Sequence, residues 1–375
     1  MQSSHPHEDR VQTIVIGAGV VGLAVARALA QSGLEVLILE TNTRVGEETS
    51  ARSNEVIHAG FLYPQATLKA KLCKPGCDLL YEYAARRSIP HKRIGKLMPA
   101  IVEDEIGILE ALVKQGVDSG VTDLELLTRE SVQKIEPNLT CPAALWSPST
   151  GIIDTHALNL SLLADAEAAG AILAANSSVQ HIEMRPTGFR LSVVDPAGVT
   201  SSIQCEQLVN AAGLEAERLA KSLSGDSMAV PKIYFAKGTF YTLQGKSPFA
   251  HLIVPAGPAL AQGASYTFDM AGQGRFGPDL DWVAGREYEV DPTKAQKFHA
   301  AISGYTKSIS IENLQPGYAG IRPRVTGPGH PPGDWVIAGP ETHGSERLVH
   351  LLGMDTPGIT ACLSIAEEVK KRIGA

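Results

Sequence analysis

The hydrophobic pattern of this chain is most regular near its N-terminus. An apolar stretch at 11–16 leads into a glycine-rich turn, an alanine-rich helical pattern follows, and a second apolar stretch at 34–39 ends on the acid Glu40. Continuous apolar runs of this kind are typical of strands that are covered on both faces of a parallel sheet. The pattern therefore predicts a strand–helix–strand unit whose two strands run parallel.

Farther along the chain, longer elements give way to short strands. Between 172 and 209 short strand patterns follow one another, and between 231 and 290 strands alternate with glycine and proline turns, which predicts an antiparallel sheet. Segment 49–64 predicts a loop, and Asp154 or Thr155 is placed to cap a helix. The other elements are predicted as helices at 68–87, 104–114, 155–169, 215–222, 291–304 and 358–372, and as strands at 95–101, 124–127, 335–338 and 348–352.

The turn inside the first unit has the spacing Gly17-x-Gly19-x-x-Gly22. The first glycine allows the tight turn, the second lets the backbone approach a pyrophosphate, and the third lets helix and strand pack closely. The helix N-terminus offers N–H groups to the phosphates, and Glu40, about twenty residues on, is placed to accept the hydroxyls of an adenosine ribose. The motif predicts a dinucleotide site, and the acid favours FAD or NAD over NADP.

Composition narrows the class of protein. The 375 residues are enough for two domains, and 44% hydrophobic with 19% charged residues is ordinary for a globular enzyme. A net charge of −7 without a basic block argues against a nucleic-acid partner. Five cysteines, odd in number and mostly scattered, predict reduced thiols in a cytoplasmic protein and no metal site.

The N-terminal apolar run could be mistaken for a signal peptide. Three glycines interrupt it and a polar segment of mixed charge precedes it, so we interpret it as part of the mature fold. No stretch is long and apolar enough to predict a transmembrane segment. We therefore expect a cytoplasmic protein, with a peripheral position at the inner membrane as the alternative, and the oligomeric state stays open.

Nucleotide-like features recur at two later places in the chain. Residues 209–213 have the pattern of a buried strand that ends in small residues, where a backbone can pass against a dinucleotide. Residues 352–360 have the pattern of a turn entering a helix, whose N–H groups could face the O2 edge of a reduced flavin. Three separated segments of one site indicate two interleaved domains.

Together these motifs resemble those of the D-amino-acid-oxidase-like class of FAD-dependent oxidoreductases, which includes glycine oxidase and glycerol-3-phosphate dehydrogenase. Within that class the chain is most similar to the L-2-hydroxyglutarate dehydrogenase/oxidase branch. The resemblance spans 11–372, and beyond the first fingerprint it is carried by 49–60, 68–73, 95–97, 210–213, 274–279, 320–323 and 353–358.

The resemblance implies an α/β fold in which a Rossmann-like, glutathione-reductase-like FAD-binding domain is interleaved with an antiparallel-sheet α+β substrate domain. We expect the FAD-binding domain at 1–90, 150–225 and 320–375, and the substrate domain at 91–149 and 226–319.

The resemblance also implies which residues bind the cofactor. Glu40 would hold the adenosine ribose, and Val179 would meet the adenine edge through its backbone. Thr49, Ser50 and Ser53 would line the channel from the pyrophosphate to the flavin. The full set of expected FAD contacts is Gly17, Gly19, Val20, Val21, Gly22, Glu40, Thr41, Thr49, Ser50, Ser53, Val179, Ala212, Gly213, Arg322, Gly353, Met354, Asp355, Thr356, Pro357, Gly358, Ile359 and Thr360.

Arg322 and His58 are the predicted catalytic residues. Oxidases of this class that act on small carboxylates carry a similar arginine, and a guanidinium binds a carboxylate bidentately without losing its proton. His58 lies in the loop that should pass the flavin, and a histidine suits removal of a hydroxyl proton while hydride leaves for flavin N5. The alternatives for His58 are a histidine that only bonds the loop and one linked covalently to the flavin.

Other candidates have less specific signals. Arg275 and Asp279 match family positions, but salt bridges that stabilise a turn would explain them as well. Where this branch usually has Gly-Val-His-x-Thr, this chain has Ser265 in place of the histidine, which leaves the substrate open. The remaining candidate substrate contacts are Tyr63, Lys237, Tyr241, Ser265 and His343. For Lys237 and Tyr241 a plain role on the sheet surface is the default, and for His343 a solvent-exposed loop histidine is an equal alternative.

The resulting prediction is an enzyme that transfers hydride from the α-carbon of a small 2-hydroxy acid, similar to 2-hydroxyglutarate, to flavin N5. Oxygen or a quinone would be the electron acceptor. The alternatives are an FAD-dependent amino-acid oxidase and a glycerol-3-phosphate-type dehydrogenase. Two other classes are a flavin-bound RNA-modifying or regulatory module, against which the acidic balance argues, and an exported binding protein.

Overall fold

The structure, a computed structural model, describes residues 9–224 and 229–375. Its helices are α1 (Val20–Gln31), α2 (Leu68–Arg86), α3 (Ile106–Asp118), α4 (Arg129–Ile135), α5 (Thr155–Ala168), α6 (Ala216–Ser224), α7 (Ala295–Ile302), α8 (Pro340–His343) and α9 (Gly358–Ile373). Its strands are β1 (Asp9–Ile16), β2 (Val36–Leu39), β3 (Val56–Ile57), β4 (His91–Lys92), β5 (Lys96–Pro99), β6 (Glu125–Thr128), β7 (Ala143–Ser147), β8 (Gly151–Ile153), β9 (Ile172–Ala174), β10 (Ser178–Arg185), β11 (Gly188–Val194), β12 (Thr200–Asn210), β13 (Tyr234–Leu243), β14 (Leu252–Ile253), β15 (Tyr266–Phe268), β16 (Gly274–Phe276), β17 (Asp281–Val283), β18 (Leu314–Arg324), β19 (Val336–Ala338) and β20 (Leu348–Leu352).

The first sheet has a parallel centre that is covered on both faces. Its order is β10-β11-β12-β1-β2-β9, and β20 and β19 continue from the C-terminal half of β12. β1 runs parallel to both β12 and β2. Along β1, Val15 packs into the core under α1, α5 and α9, whereas Ile14 and Ile16 pack into the opposite core with β11 and α6. This two-sided burial explains the continuous apolar run of the sequence.

The second sheet has the order β17-β13-β16-β15-β14-β5-β7-β6, and β18 lies along the other side of β13. Its pairings are antiparallel except for the parallel contact of β14 with β5, so the predicted antiparallel sheet is confirmed with one exception. A small third sheet pairs β8 with β3 and β4.

Several predicted elements shift or gain neighbours. α7 begins at Ala295 rather than at 291, because a short 3-10 helix at Pro292–Lys294, capped by Asp291, precedes it. The predicted loop 49–64 contains the two-residue strand β3. Asp154 is the cap of α5, since its carboxylate accepts from the N–H of Ala157 at 2.9 Å. Sequence patterns also missed α4, α8, β4, β7, β8 and β18.

The two large sheets each collect segments that are distant in the chain, as the interleaved prediction requires. The predicted boundary at residue 320 falls inside β18, which belongs to the second sheet along its whole length. We therefore propose that the boundary follows Arg324, and the other domain limits stay predictions. Within the described ranges, no helix has the length and apolar character needed to cross a membrane.

Candidate active site

A cavity of about 550 Å³ lies between the parallel sheet and the second sheet. Its walls come from the end of β1 and the start of α1, from the loop after β2, from the turn after β12, from β13 and β18, and from the loop entering α9. These segments include the three nucleotide-like regions of the sequence. The size lies within the range of cofactor and ligand sites.

The glycine turn is built for close backbone packing. A Cβ on Gly17 would lie 2.6 Å from the carbonyl oxygen of Ala211, and one on Gly22 would lie 2.0 Å from that of Gly17. A Cβ on Gly19 would meet only the Ser50 hydroxyl, at 3.4 Å. Gly17 and Gly22 therefore hold the turn together, whereas Gly19 leaves the wall open to a ligand.

The carboxylate of Glu40 is buried beside this turn. It accepts the N–H of Ala18 at 2.6 Å and that of Asn42 at 2.9 Å. A carboxylate has about four acceptor positions, so two remain for hydroxyl groups. Val179, which also lines the cavity, has its carbonyl fixed by Arg218 at 3.0 Å.

The turn after β12 is organised by the side chain of Asn210. Its amide donates to the carbonyl of Ala216 at 2.8 Å and its oxygen accepts the N–H of Ala212 at 3.3 Å. The amide also lies 3.2 Å from Nδ1 of the buried His350. These bonds hold Ala212 and Gly213 on the cavity wall, next to the glycine turn.

The loop entering α9 is anchored by a buried ion cluster. Asp355 lies 2.7 Å from the ammonium of Lys69 and 3.3 Å from Nε of Arg324. The cluster has two cations for one carboxylate, which leaves positive charge under this loop. The N-terminus of α9 lies on the same wall, and its first-turn N–H groups add to the positive potential.

His58 lies on the cavity wall just after β3. The backbone N–H of His58 donates to the Thr360 hydroxyl at 3.0 Å, and its backbone carbonyl accepts from the Cys73 thiol. Its Nδ1 is buried and has no hydrogen-bond partner among the residues described. Burial, followed by the charge of Lys96, lowers the pKa of His58 to about 3. The ring is therefore neutral at pH 7.

Arg322 projects from β18 into the same cavity. Its Nη2 donates to the carbonyl of Asp279 at 3.1 Å and its Nε donates to that of Ala236 at 3.5 Å. No carboxylate lies within salt-bridge distance of it in the part of the chain that the structure describes. Burial first, and then the charge of Arg324, lowers the pKa of Arg322 to about 10, so it stays a cation at pH 7.

Most of the predicted cofactor contacts lie on this wall. Gly353 lies just beside it, with a φ of 74° that favours glycine. The roles of these residues stay predictions. The predicted residues found on the wall are His58, Gly17, Gly19, Val20, Val21, Gly22, Glu40, Thr41, Thr49, Ser50, Ser53, Val179, Ala212, Gly213, Arg322, Met354, Asp355, Thr356, Pro357, Gly358, Ile359 and Thr360.

The structure places Lys237 and Tyr241 away from the cavity wall. β13 presents Gly238 and Phe240 there instead. Side chains alternate between the two faces of a strand, so Lys237 faces the other way. Tyr241 lies beyond a register shift, packs on Phe298 at 4.8 Å and donates its hydroxyl to the carbonyl of Asp291.

Tyr63, Ser265 and His343 also lie off the wall. Tyr63 is half-buried, and burial raises its pKa well above the usual value. Ser265 is buried with a hydroxyl that has no partner among the described residues, and its carbonyl accepts from Gly277 at 2.8 Å. His343 ends α8 and faces His350, with its ring bonded to the carbonyl of Ala338.

Arg275 and Asp279 form salt bridges, which is the structural alternative to a role in the site. Arg275 pairs with Glu55 at 2.9 Å, and Asp279 pairs with Lys294 at 2.8 Å. Asp279 has a second effect, since its carbonyl holds the guanidinium of Arg322.

Several residues of the cavity wall carry no signal in the sequence. Arg52 lies within the motif at 49–60, but nothing in the pattern distinguished it from a solvated arginine. Gly238 and Phe240 required the correct phase of β13. Arg286 follows a glycine turn far along the chain, and no periodicity marks it.

Similarity to known proteins covers nearly the whole chain. The family model described as "FAD dependent oxidoreductase", DAO, matches residues 12–372. The chain is 38% identical to the mitochondrial L-2-hydroxyglutarate dehydrogenase of Arabidopsis thaliana, over 97% of this chain and 84% of that protein. It is 29% identical to the human protein of the same name, over 96% and 88%.

A solved structure has the same fold. The L-α-glycerophosphate oxidase of Mycoplasma pneumoniae, dithionite-reduced and with FAD bound, superposes with a TM-score of 0.87 at 23% identity, covering 98% of this chain and 95% of that chain. The glycine turn, the two open acceptor positions of Glu40 and the helix N-termini fit a dinucleotide of this kind. The chain belongs to the DAO family of FAD-dependent oxidoreductases.

Proposed function

We propose that this enzyme oxidises the hydroxyl-bearing α-carbon of a small 2-hydroxy acid similar to 2-hydroxyglutarate. The observation that carries the proposal is Arg322, a half-buried cation without a carboxylate partner among the described residues, on the same cavity wall as the neutral His58. Two relatives named L-2-hydroxyglutarate dehydrogenase, similar over nearly the whole chain, support the choice of acid.

Arg322 binds the carboxylate next to the reacting carbon. Two carbonyls fix its guanidinium, which leaves other N–H groups for a bidentate pair with the substrate. A low-dielectric site strengthens that pair, since the cation has little water to lose. The carboxylate thereby sets the orientation of the α-carbon in the cavity.

His58 accepts the hydroxyl proton. Only neutral imidazole can accept a proton, and burial holds the ring in that form. The carboxylate of a bound acid raises the pKa of a nearby histidine, so the substrate itself brings the base toward the working pH. Thr360 and Cys73 fix the His58 backbone and hence the position of the ring.

Bound FAD supplies the hydride acceptor. Gly19, Ser50 and the N-terminus of α1 would hold its phosphates, Glu40 would hold the ribose, and the loop at 353–360 would hold the flavin. The cluster of Lys69, Arg324 and Asp355 has a net positive charge, which would stabilise negative charge on a group bound at that side of the cavity.

Two variants of Arg322 test the proposal. We expect Arg322→Met to lower kcat/KM for L-2-hydroxyglutarate about 100-fold. Arg322→Lys should lower it less, because lysine keeps the positive charge although its ammonium cannot form the bidentate pair. Lys237→Met is the matched control, since Lys237 lies on the neighbouring strand and faces away from the cavity. FAD content is measured by absorbance in each variant.

A loss in the Arg322 variants that only tracks FAD content, or wild-type kcat/KM in Arg322→Met, would contradict the assignment. Glycerol 3-phosphate and glycine belong in the panel, because a guanidinium also binds phosphates and amino-acid carboxylates.

We also propose that the enzyme is cytoplasmic and that its electron acceptor is oxygen or a quinone. Steady-state oxidation with each acceptor, followed by peroxide formation or quinone absorbance, decides between them. Strong peroxide formation without any quinone reduction would identify an oxidase.

A further inference from the structure

Four arginines line the cavity, and they differ in their partners. Arg218 pairs with Glu215 at 2.9 Å, and Arg286 pairs with Glu215 at 2.8 Å and with Glu48 at 3.5 Å. Arg52 and Arg322 have no carboxylate within salt-bridge distance among the residues described. The cavity therefore presents two cations whose charge the described part of the protein does not neutralise.

Arg52 is held in place without using up its charge. Its Nη1 donates to the carbonyl of Ala319 at 3.3 Å, and its guanidinium lies 4.0 Å from the ring centre of Tyr288. The Tyr288 hydroxyl donates to the carboxylate of Glu48, which therefore has a partner other than Arg52. An arginine has five N–H donors, so most remain for a ligand.

The two unpaired arginines flank one strip of sheet. The Cβ of Arg52 lies 3.1 Å from where a Cβ of Gly320 would be. Gly320 and Arg322 are two residues apart on β18 and share a face, about 7 Å from one another along the strand. The side chains of Arg52 and Arg322 thus start from the two ends of the same short stretch of cavity wall.

The strip between the arginines has no side chains of its own. Gly320 pairs with Gly238 across the two strands, and both residues line the cavity. A Cβ on Gly238 would lie 2.6 Å from Pro278 and 3.1 Å from Nη2 of Arg322. Phe240, stacked on Tyr318 at 4.6 Å, follows on β13 and gives an apolar surface on the side of Gly320 that faces away from Arg322. Going from Arg322, the order is therefore cation, bare backbone floor, and then Arg52 with the ring of Phe240 farther on.

We infer that Arg52 binds the distal carboxylate of the substrate, so that Arg52 and Arg322 together select dicarboxylic over monocarboxylic 2-hydroxy acids. This inference rests on the proposed function, since it assigns the second end of the same substrate. The bare floor at Gly238 and Gly320 leaves room for the methylene groups between the two carboxylates, which displace water from this strip when they bind. A fixed pair of cations also makes the distance between the two carboxylates matter.

The test compares two substrates that differ only at the distal end. L-2-hydroxyglutarate and L-2-hydroxyvalerate have the same carbon chain, and the second has a methyl group in place of the distal carboxylate. We expect Arg52→Gln to reduce the ratio of their kcat/KM values about 10- to 100-fold by acting on L-2-hydroxyglutarate alone. Arg52→Lys should restore part of the ratio, because it keeps the charge.

Arg286→Gln is the matched control for the ratio. It removes another arginine of the same wall, but one whose charge Glu48 and Glu215 already neutralise, so the ratio should stay that of the wild type. FAD content and the melting temperature of each holoenzyme show whether the variants fold. Equal losses on both substrates in Arg52→Gln, or no loss on either, would overturn the inference.

A binding measurement separates this inference from the proposed function. Glutarate and valerate cannot be oxidised at a hydroxyl carbon, and their binding to the oxidised holoenzyme is followed through the flavin absorbance. We expect glutarate to bind more tightly than valerate, and Arg52→Gln to abolish that difference. If the difference is present but no 2-hydroxy acid is oxidised, the proposed function fails and the dicarboxylate site stands. If glutarate gains nothing from Arg52, the site fails even where 2-hydroxyglutarate is a substrate.

Discussion

Gly19 and Gly22, three residues apart, perform different functions in this molecule. A Cβ at Gly22 would press on the carbonyl of Gly17, whereas one at Gly19 would meet only the Ser50 hydroxyl at 3.4 Å. We expect Gly22→Ala to destabilise the protein without cofactor by more than about 2 kcal/mol, as overpacking does. Gly19→Ala should leave that stability near wild type but weaken FAD binding, because its methyl group occupies the pyrophosphate position.

Two measurements separate these effects: urea unfolding of the cofactor-free protein and fluorescence titration with FAD. Equal stability losses in the two variants, or wild-type FAD affinity in Gly19→Ala, would show that the turn has no such division of labour.

Two histidines whose pKa values are lowered in the folded protein make its stability depend on pH. Burial is the main cause that lowers the pKa of both His58 and His350 to about 3. The unfolded chain binds these protons near pH 6.5, whereas the folded chain does not, so stability is complete above that pH and is lost as the pH falls toward 3. Each histidine contributes a slope of about 1.4 kcal/mol per pH unit within that window.

His350→Gln tests this slope at a position away from the predicted substrate end of the cavity. We expect the free energy of unfolding to fall less steeply between about pH 6 and pH 5 in the variant, by roughly one histidine's share. Urea unfolding at both pH values gives the slope directly, independent of any constant loss of stability. An unchanged slope would mean that His350 is not neutral in the folded protein.

Arg322 and His58, which the sequence marked as candidates, line the cavity, whereas the phase of β13 could not be predicted from the sequence. The candidates on this strand, Lys237 and Tyr241, are four residues apart and so share a face in a regular strand. The cavity face holds Gly238 and Phe240, and the register of β13 shifts between Thr239 and Tyr241. A strand that packs on both faces gives no alternation from which the phase could be predicted.

Among the elements, α2 connects the fold to the cofactor loop through its N-terminus. The carboxylate of Asp334 accepts the N–H groups of Leu68 at 2.5 Å and Lys69 at 3.2 Å. The side chain of Lys69 then reaches Asp355. Thr67 is the N-cap of α2, and the distant acid Asp334 adds to this capping by accepting two further N–H groups of the first turn.

Removing this cap should destabilise the protein. We expect Asp334→Ala to lower the free energy of unfolding by about 1–2 kcal/mol, the usual cost of a lost N-cap. Asp78→Ala, on the same helix, removes an exposed carboxylate paired with Lys74 and should cost less than about 0.5 kcal/mol. Comparable losses in both variants would contradict the capping role of Asp334.

The long strand β18 shows why one element that carries the site escaped prediction. It has 11 residues and includes Pro316 and Pro323, and prolines within a run argue against predicting a strand there. Prolines are tolerated because β18 pairs only with β13 and lies at an edge. The loop at 49–55 covers the other side, with Thr49 bonded to the carbonyl of Ile321. Such a tertiary cover cannot be predicted from local sequence.

For the whole molecule, the cavity joins the two large sheets, so the cofactor bridges them when it binds. A ligand that binds only the folded state adds about 2.7 kcal/mol of stability at a concentration 100 times its Kd. We expect removal of FAD to lower the melting temperature, and added FAD to raise it in a concentration-dependent way. Differential scanning fluorimetry tests this, and a melting temperature independent of FAD would contradict a bridging cofactor.

The interleaving of the two sheets was the part of the architecture that sequence could predict. The fingerprint, the turn after β12 and the entry to α9 are local motifs, and only a shared site explains their spacing. The depth of the cavity and the pairing of its arginines depend on contacts between distant segments. Glu48, for instance, meets Tyr288 and Arg286 across the chain.

The most direct test of the central claim is anaerobic reduction of the wild-type holoenzyme, followed by the loss of flavin absorbance. We predict that L-2-hydroxyglutarate bleaches the flavin, that lactate does so far more slowly, and that Arg322→Met abolishes the fast reaction. Bleaching by glycine or another amino acid alone, or by glycerol 3-phosphate alone, would contradict the account of the substrate. A protein that stays colourless after addition of FAD would contradict the whole account.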